Sequence, residues 1–306
     1  MTASSQPRRV AIKVNTRRSE ALDVASAFVQ GITAAGMGCL VDPEEIDELA
    51  ARVDGADLVP WTDARERAAE LLVVFGGDGT ILRAAEWSLP RRVPLLGVNL
   101  GHVGFLAELE PSDTADLVTR VVRRDYAIEH RLVLSVVVTD EHAGTRWESF
   151  SVNEVSIEKA ARDRMLEVLV SVDHRPVSRW HCDGVLVSTP TGSTAYAFSG
   201  GGPVIWPDVE AMLLVPLSAH ALFARPMVLS PFSRVDLDLS GSLSNSGVLW
   251  CDGARSTDLS RGSRIMVRRL PQDLLIARTG EQPFANRLVK KFDLPVEGWR
   301  NRDVGA

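Results

Sequence analysis

The stretch Leu71–Glu86, LLVVFGGDGTILRAAE, decides how the first half of the chain is read. An apolar run, Leu71 to Phe75, ends in Gly76-Gly77-Asp78-Gly79, and a helical pattern follows from Thr80. An apolar run without alternation is a strand covered on both faces. A strand that passes through glycines straight into a helix opens a βα unit. Working outward, Arg9–Val14, Gly38–Val41 and Val93–Val98 read as further strands. Ser19–Ala35 places Leu22, Ala25, Val29 and Ile32 at three-to-four spacing, which predicts a helix. Pro43–Val53 reads as an acidic helix with proline at its start. This alternation predicts a parallel, Rossmann-like α/β domain.

After Tyr126 the pattern changes. LVLSVVVTD, WESFSVNEVSIEK, MLEVLVSVD, GVLVST, SRVDLDLS and SRIMVRRL are short runs with alternation or β-branched residues, and helical signals nearly vanish apart from Thr191–Ser199. The second half is therefore expected to be an all-β, antiparallel β-sandwich domain over residues 127–276. The N-terminal α/β domain takes residues 1–126. The segment 277–306, whose Phe284–Phe292 is helical, is expected to join it.

Composition narrows the function. The 306 residues suffice for two domains. A formal charge of −6 without a Lys/Arg-dominated patch argues against a nucleic-acid partner, and Lys290-Lys291 read as a solvated helix face. Cys39, Cys182 and Cys251 form no CxxC pair and suit free thiols in a reducing cytoplasm. The six histidines show no HxxxH spacing, so no built-in zinc site is expected. The N-terminal MTASSQPRRVAIKVN has no apolar leader core, and no window approaches ~18 uninterrupted apolar residues. A cytoplasmic protein with no membrane partner is the expectation.

The Gly-Asp-Gly turn carries the first chemistry. Gly76, Gly77 and Gly79 allow close backbone approach, and the helix that follows presents a partially positive N-terminus suited to phosphate. The turn lacks the lysine of a Walker A loop and the third glycine of GxGxxG. A carboxylate among phosphate-binding amides suits phosphoryl transfer, with Asp78 facing an acceptor hydroxyl or a Mg²⁺ ion. The same aspartate also fits a structural role as a helix cap. Arg83, one turn on, reads either as a phosphate contact or as a solvated side chain.

Asp183–Pro203, DGVLVSTPTGSTAYAFSGGGP, is the second cluster. Ser188, Thr189, Thr191, Ser193, Thr194 and Ser199 offer hydroxyls. Tyr196, one of only two tyrosines, suits stacking on a base. Asn153-Glu154 interrupts a strand pattern, with at least one of the two expected at an exposed edge, and such groups are natural partners of a ribose diol. His181 and Cys182 read equally as core or as site.

Together, GGDGT (Gly76–Thr80), the Asn153-Glu154 pair and DGxxxSTPTGSTAY (Asp183–Tyr196) resemble the motif set of the NAD kinase family. GGDGT alone is shared with diacylglycerol, sphingosine and phosphofructokinase relatives, whereas the long second motif is more specific. The hydroxyl-rich cluster argues against the apolar acceptor cleft of a lipid kinase, and a non-catalytic NAD sensor would not need Asp78. The resemblance implies transfer of the terminal phosphoryl of ATP, or of polyphosphate in some bacterial members, to the 2′-hydroxyl of the adenosine ribose of NAD, giving NADP. It further implies a divalent cation, Mg²⁺ or Mn²⁺, arriving with the donor. It implies a site between the two domains and a homodimer or homotetramer whose neighbouring subunit completes that site. By the same resemblance Asp78 is the general base, Gly79 and Arg83 lie along the dinucleotide or its phosphates, and Gly76 and Gly77 count among the substrate-binding residues. Asn153 and Glu154 hold the adenosine portion, and Thr191, Thr194, Ala195 and Tyr196 line the adenine pocket, with Ser199 counted among the substrate-binding residues. Asp183 meets the nicotinamide end, with Arg164 and His181 nearby. The chain departs from the pattern at Ala197 and Ala254, where many members carry Asn and Gln.

Overall fold

In the first unit seven strands form one sheet. Numbered along the chain, they are β1 (Arg9–Val14), β2 (Gly38–Val41), β3 (Leu58–Pro60), β4 (Ala69–Phe75), β5 (Leu95–Val98), β6 (Ala127–Arg131) and β19 (Leu274–Arg278), in the order β3-β2-β1-β4-β5-β19-β6. The computed structural model describes residues 8–53, 55–61, 69–100, 104–107, 114–140, 144–160, 164–239, 246–280 and 283–296. The leader reading falls partly on residues 1–7, outside that range. The chain divides into Met1–Glu129 with Leu275–Ala306, and His130–Leu274.

The pairs from β3 through β5 to β19 are parallel. In β4 every residue except Glu70 is buried, as expected for a strand covered on both faces. Strand order reverses between β1 and β4, whose last residues Val14 and Phe75 lie in register. The carboxyl ends at such a switch point are where open α/β sheets bind ligands. The helix Ser19–Ala34 buries the four apolar residues that its spacing picked out, together with Phe28, whose ring packs 5.5 Å from that of Phe75.

The structure corrects several expectations. The acidic helix is confined to Ile46–Ala50. Asp42 and Glu45 both pair with Lys13, the Glu45 carboxylate also accepts the Val14 amide at 2.6 Å, and Asp42 accepts the Glu44 amide at 3.0 Å. These bonds bind residues 42–45 to the strand end as turns. Strand β5 begins only at Leu95, after Pro94. The strand β3 and the helix Thr114–Arg123, which buries Leu117 and Val121, were not foreseen.

The second unit holds two six-stranded sheets whose assigned pairings are antiparallel. One comprises β7 (Leu134–Asp140), β8 (Gly144–Ser151), β10 (Leu166–Val172), β11 (Arg175–Cys182), β15 (Val235–Asp238) and β18 (Arg264–Arg269), in the order β11-β10-β15-β18-β7-β8. The other comprises β9 (Glu154–Lys159), β12 (Gly184–Ser188), β13 (Met212–Leu217), β14 (Met227–Leu229), β16 (Gly247–Cys251) and β17 (Arg255–Leu259), in the order β14-β13-β12-β9-β16-β17. Inward residues of both, among them Val136, Val168, Val235 and Val267 from one and Ile157, Val187, Leu214 and Leu249 from the other, form a single buried core. The expected WESFSVNEVSIEK strand is broken at Val152-Asn153. Glu154 does not lie at an edge: β9 runs between β12 and β16, and Glu154 is buried.

Candidate active site

The turn after β4 delivers Asp78 as the first residue of the helix Asp78–Arg91. The N-cap position falls on Gly77, not on Asp78. Asp78 Oδ2 accepts the Phe105 amide at 3.0 Å and Oδ1 accepts the Leu106 amide at 3.1 Å. The helix-cap alternative is therefore set aside, and Asp78 stands half-buried with a fixed orientation. A Cβ on Gly104 would lie 2.3 Å from Asp78 Oδ1, so only glycine lets this strap lie against the carboxylate. The glycines of the turn itself differ. Gly77 and Gly79 adopt no left-handed backbone, and no atom outside their own turn lies within 4 Å of where a Cβ would be. Their value is the open space beside them. Gly76, by contrast, is crowded by Thr80. Arg83 is exposed.

In the second unit the Asn153-Glu154 turn is built by a residue that sequence reasoning passed over. Asp252, left-handed at φ 52° and almost fully buried, accepts the amides of Val152 at 3.0 Å, Asn153 at 2.7 Å and Glu154 at 3.3 Å, together with the Ser151 hydroxyl at 2.6 Å. Arg255 donates to Asp252 at 3.0 Å and stacks 4.1 Å over the Phe150 ring. The sequence carried one signal for Asp252, the turn-forming Asp-Gly step after a strand, but nothing in it showed what the carboxylate holds. Glu154 accepts the Tyr196 amide, while its Oε2 is buried with no hydrogen-bond partner among the described residues. Burial, then the nearby Asp252 charge, push its carboxyl up to about 8. A buried orphan oxygen of this kind calls for a partner that the described residues do not supply.

The hydroxyl-rich segment is less free than its composition suggests. Ser188, Thr189 and Ser193 are fully buried. Ser188 donates to the Asn153 carbonyl at 3.0 Å, Thr189 to that of Val152 at 2.6 Å, and Ser193 to that of Pro190 at 2.6 Å. They hold the 3₁₀ turn Thr191–Thr194 and the short helix Tyr196–Ser199 against the Asn153-Glu154 turn. Thr191 is buried, Thr194 and Ala195 are half-buried, and Ser199 is exposed. Tyr196 is 38% exposed, and with Ser199 and Asp183 it lines a cleft of about 480 Å³. Glu158, Lys159 and Ser218 complete its polar wall. Lys159, 2.6 Å from Asp183, holds that carboxyl below the usual carboxylate range. Arg164 and His181 are exposed and do not line this cleft. Cys182 is buried and belongs to the core. Ala197 is buried in an apolar cluster with Leu186, Leu213 and Val215, whereas Ala254 is exposed on its turn.

A carboxylate in a phosphate-suited turn and an aromatic residue above a polar cleft are the equipment of a nucleotide-handling phosphotransferase. Comparison with known proteins narrows this. The family model for the ATP-NAD kinase N-terminal domain matches residues 10–126, and that for the ATP-NAD kinase C-terminal domain matches residues 152–279. The NAD kinase of Cutibacterium acnes is 59% identical over 297 residues, covering 97% of this chain and 93% of its own. That of Thermobifida fusca is 48% identical, covering 96% and 92%. Among solved structures, yeast NADH kinase complexed with NADH superposes with a TM-score of 0.87 at 20% identity, covering 96% of this chain and 89% of its own. An NAD kinase from Archaeoglobus fulgidus in complex with ATP gives 0.69 at 23% identity, covering 94% and 99%. At these identities the two structures bear on the fold, and both share its two-domain, mixed α/β and sheet-rich organisation. The chain belongs to the NAD kinase family. It is a phosphotransferase that converts NAD to NADP, with ATP as phosphoryl donor.

Proposed function

We propose that Asp78 is the general base that takes the proton from the 2′-hydroxyl of the adenosine ribose as the terminal phosphoryl of ATP arrives. The observation that carries this reading is the Asp78 carboxylate itself. It stands at the carboxyl end of β4, beside the strand-order switch, held by two amides and next to the open backbone of Gly77 and Gly79. A positioned proton acceptor contributes ~10²–10⁴-fold. The amides at the start of the helix, with Gly76, Gly77 and Gly79, cradle phosphate, and Arg83 adds charge alongside. Asn153 and Glu154 hold the ribose, the orphan Glu154 Oε2 taking up a ligand hydroxyl. Tyr196 stacks on the base, with Thr191, Thr194, Ala195 and Ser199 around it. Asp183 meets the nicotinamide end, with Arg164 and His181 at the surface nearby.

The divalent cation, Mg²⁺ or Mn²⁺, enters as part of the nucleotide substrate. Among the described residues no group of three or more His, Cys, Asp or Glu side chains is arranged to hold a metal. Polyphosphate serves as a second donor through the same amides. We further infer a Rossmann-like first domain and a β-sandwich second domain, the latter supported by the core that its two sheets share. The protein assembles as a homodimer or homotetramer, in keeping with the exposed Trp206, Phe223, Val228 and Phe232 of the second unit. It works in the cytoplasm; among the described residues no helix is long and apolar enough to cross a membrane.

The test is NADP formation from NAD and Mg-ATP, repeated with Asp78→Asn and with polyphosphate as donor. NADP production that falls more than ~100-fold in the variant while NAD still binds is the expected result. Normal turnover in Asp78→Asn would remove Asp78 from the chemistry. Light scattering that returned a monomer would overturn the assembly.

A further inference from the structure

Asp78 is only as well placed as the strap that holds it, and that strap is gripped from its other side. The peptide group joining Phe105 to Leu106 donates its N–H to Asp78 Oδ1 at 3.1 Å and accepts Arg287 Nη1 on its carbonyl at 2.9 Å. The next carbonyl, that of Leu106, accepts Arg278 Nη1 at 3.1 Å. Both arginines are buried, and Arg278 is paired with Glu129 at 3.0 Å. The Phe105 ring packs 5.6 Å from Phe284 and 6.1 Å from Phe292, the two ends of the helix that carries Arg287. Ring and carbonyl of one residue are thus fixed by one C-terminal helix.

We propose that Arg287 is a positioning residue for Asp78, acting through the Phe105–Leu106 peptide group. The inference rests on Asp78 being the base. In a trans peptide the C=O and N–H point to opposite sides, so guanidinium and carboxylate occupy opposite ends of one dipole. A cation on the oxygen draws electron density from the amide and makes its N–H a stronger donor to the carboxylate. The Phe105 amide supplies a second bond to the other carboxylate oxygen, so the plane of the carboxylate is set as well as its place. Misplacement of a reacting group by about 1 Å can cost ~10²-fold in rate. A residue more than 200 positions along the chain thereby sets the geometry of the base.

The experiment compares Arg287→Met, Arg287→Lys, Asp78→Asn and the double variant Asp78→Asn/Arg287→Met in the full-length enzyme. Arg287→Met is expected to lower kcat about 10- to 100-fold with KM for NAD unchanged. It should also speed hydrogen exchange at the Phe105 and Leu106 amides. Arg287→Lys, which keeps a buried cation, should retain part of the rate. In the Asp78→Asn background, Arg287→Met should cost less than about 2-fold, because residues that act as a unit are not additive. An undiminished kcat in both Arg287 variants, or the same fold-loss with and without Asp78, would overturn the proposal. Should Arg287→Met fail to fold, Arg287→Lys and Asp78→Asn/Arg287→Lys decide by the same criteria. Normal turnover in Asp78→Asn alone would instead sink the base assignment, a separate outcome.

Discussion

Asp252 Oδ1 accepts the backbone N–H of Asn153 at 2.7 Å across 99 residues of chain. With the Val152 and Glu154 amides and the Ser151 hydroxyl on the same carboxylate, the whole Asn153-Glu154 turn is shaped around one buried anion. Replacing Asp252 with Ala takes this acceptor from the Val152, Asn153 and Glu154 amides and removes the ion pair with Arg255. Breaking a buried, hydrogen-bonded ion pair costs on the order of 3–5 kcal/mol. Chemical denaturation should show a loss of that size, with NAD affinity falling alongside. A variant as stable as the wild type would mean that the turn holds its shape without this anchor.

Glu154 makes stability fall as pH rises. Its carboxyl titrates at about 8 in the folded chain against 4.5 unfolded. Below pH 4.5 both states are protonated and nothing is lost. Between pH 4.5 and 8 the unfolded chain ionises while the folded one does not, so the balance shifts toward unfolding until the folded group ionises too. Glu154→Gln does not titrate. Its melting temperature relative to wild type should therefore climb from pH 5 to pH 8.5, and parallel curves over that range would refute the shift. Asp252→Asn, which removes the neighbouring charge, should weaken the same pH dependence.

Tyr196 is predicted to act through its ring rather than its hydroxyl. Base–aromatic stacking is worth roughly 1–3 kcal/mol, so Tyr196→Ala should raise KM for NAD by about 5- to 150-fold. Tyr196→Phe should stay near wild type. An Ala variant with unchanged KM would place the base elsewhere.

Two glycines should separate stability from activity. A Cβ on Gly192 would lie 2.1 Å from the Asn153 carbonyl oxygen, so Gly192→Ala should destabilise the fold by on the order of 1–3 kcal/mol. Gly77 has open space and an ordinary φ of −85°. Gly77→Ala should melt within about 0.5 kcal/mol of wild type yet lose at least ~10-fold in turnover, since on the proposed function a methyl there displaces the phosphate chain. Thermal melts and steady-state rates on both variants test the pair.

The local parts of this molecule were legible in its sequence. β1, β2 and the helix Phe284–Phe292 begin and end where their residue patterns place them, because apolar periodicity and turn residues act within a few positions. GGDGT reads as a strand-to-helix turn carrying a carboxylate for the same reason, and the strand Ala69–Phe75 does pass through it into the helix Asp78–Arg91. The second motif pointed to its region but overstated its freedom: composition counts hydroxyls, whereas only burial shows that Ser188, Thr189 and Ser193 already donate to backbone carbonyls. Two polar residues interrupting a strand predict that at least one of Asn153 and Glu154 is an exposed edge residue, and Asn153 is half-buried outside the strands. Sheet order, which depends on partners far along the chain, puts Glu154 inside.

What the sequence determined by itself was therefore the class of each segment and the chemistry each could offer: a parallel α/β half with Asp78 in its turn, and a β-rich half with Tyr196 among small polar residues. What only the tertiary structure decided was which groups hold these in place. Asp252 shapes the turn before Glu154 from 98 to 101 positions away, and Arg287 reaches the strap over Asp78 across 182. A hydrogen bond is set by distance and angle in space, over about 3 Å, and residues so far apart in the chain come within that range only once the elements of each unit have packed.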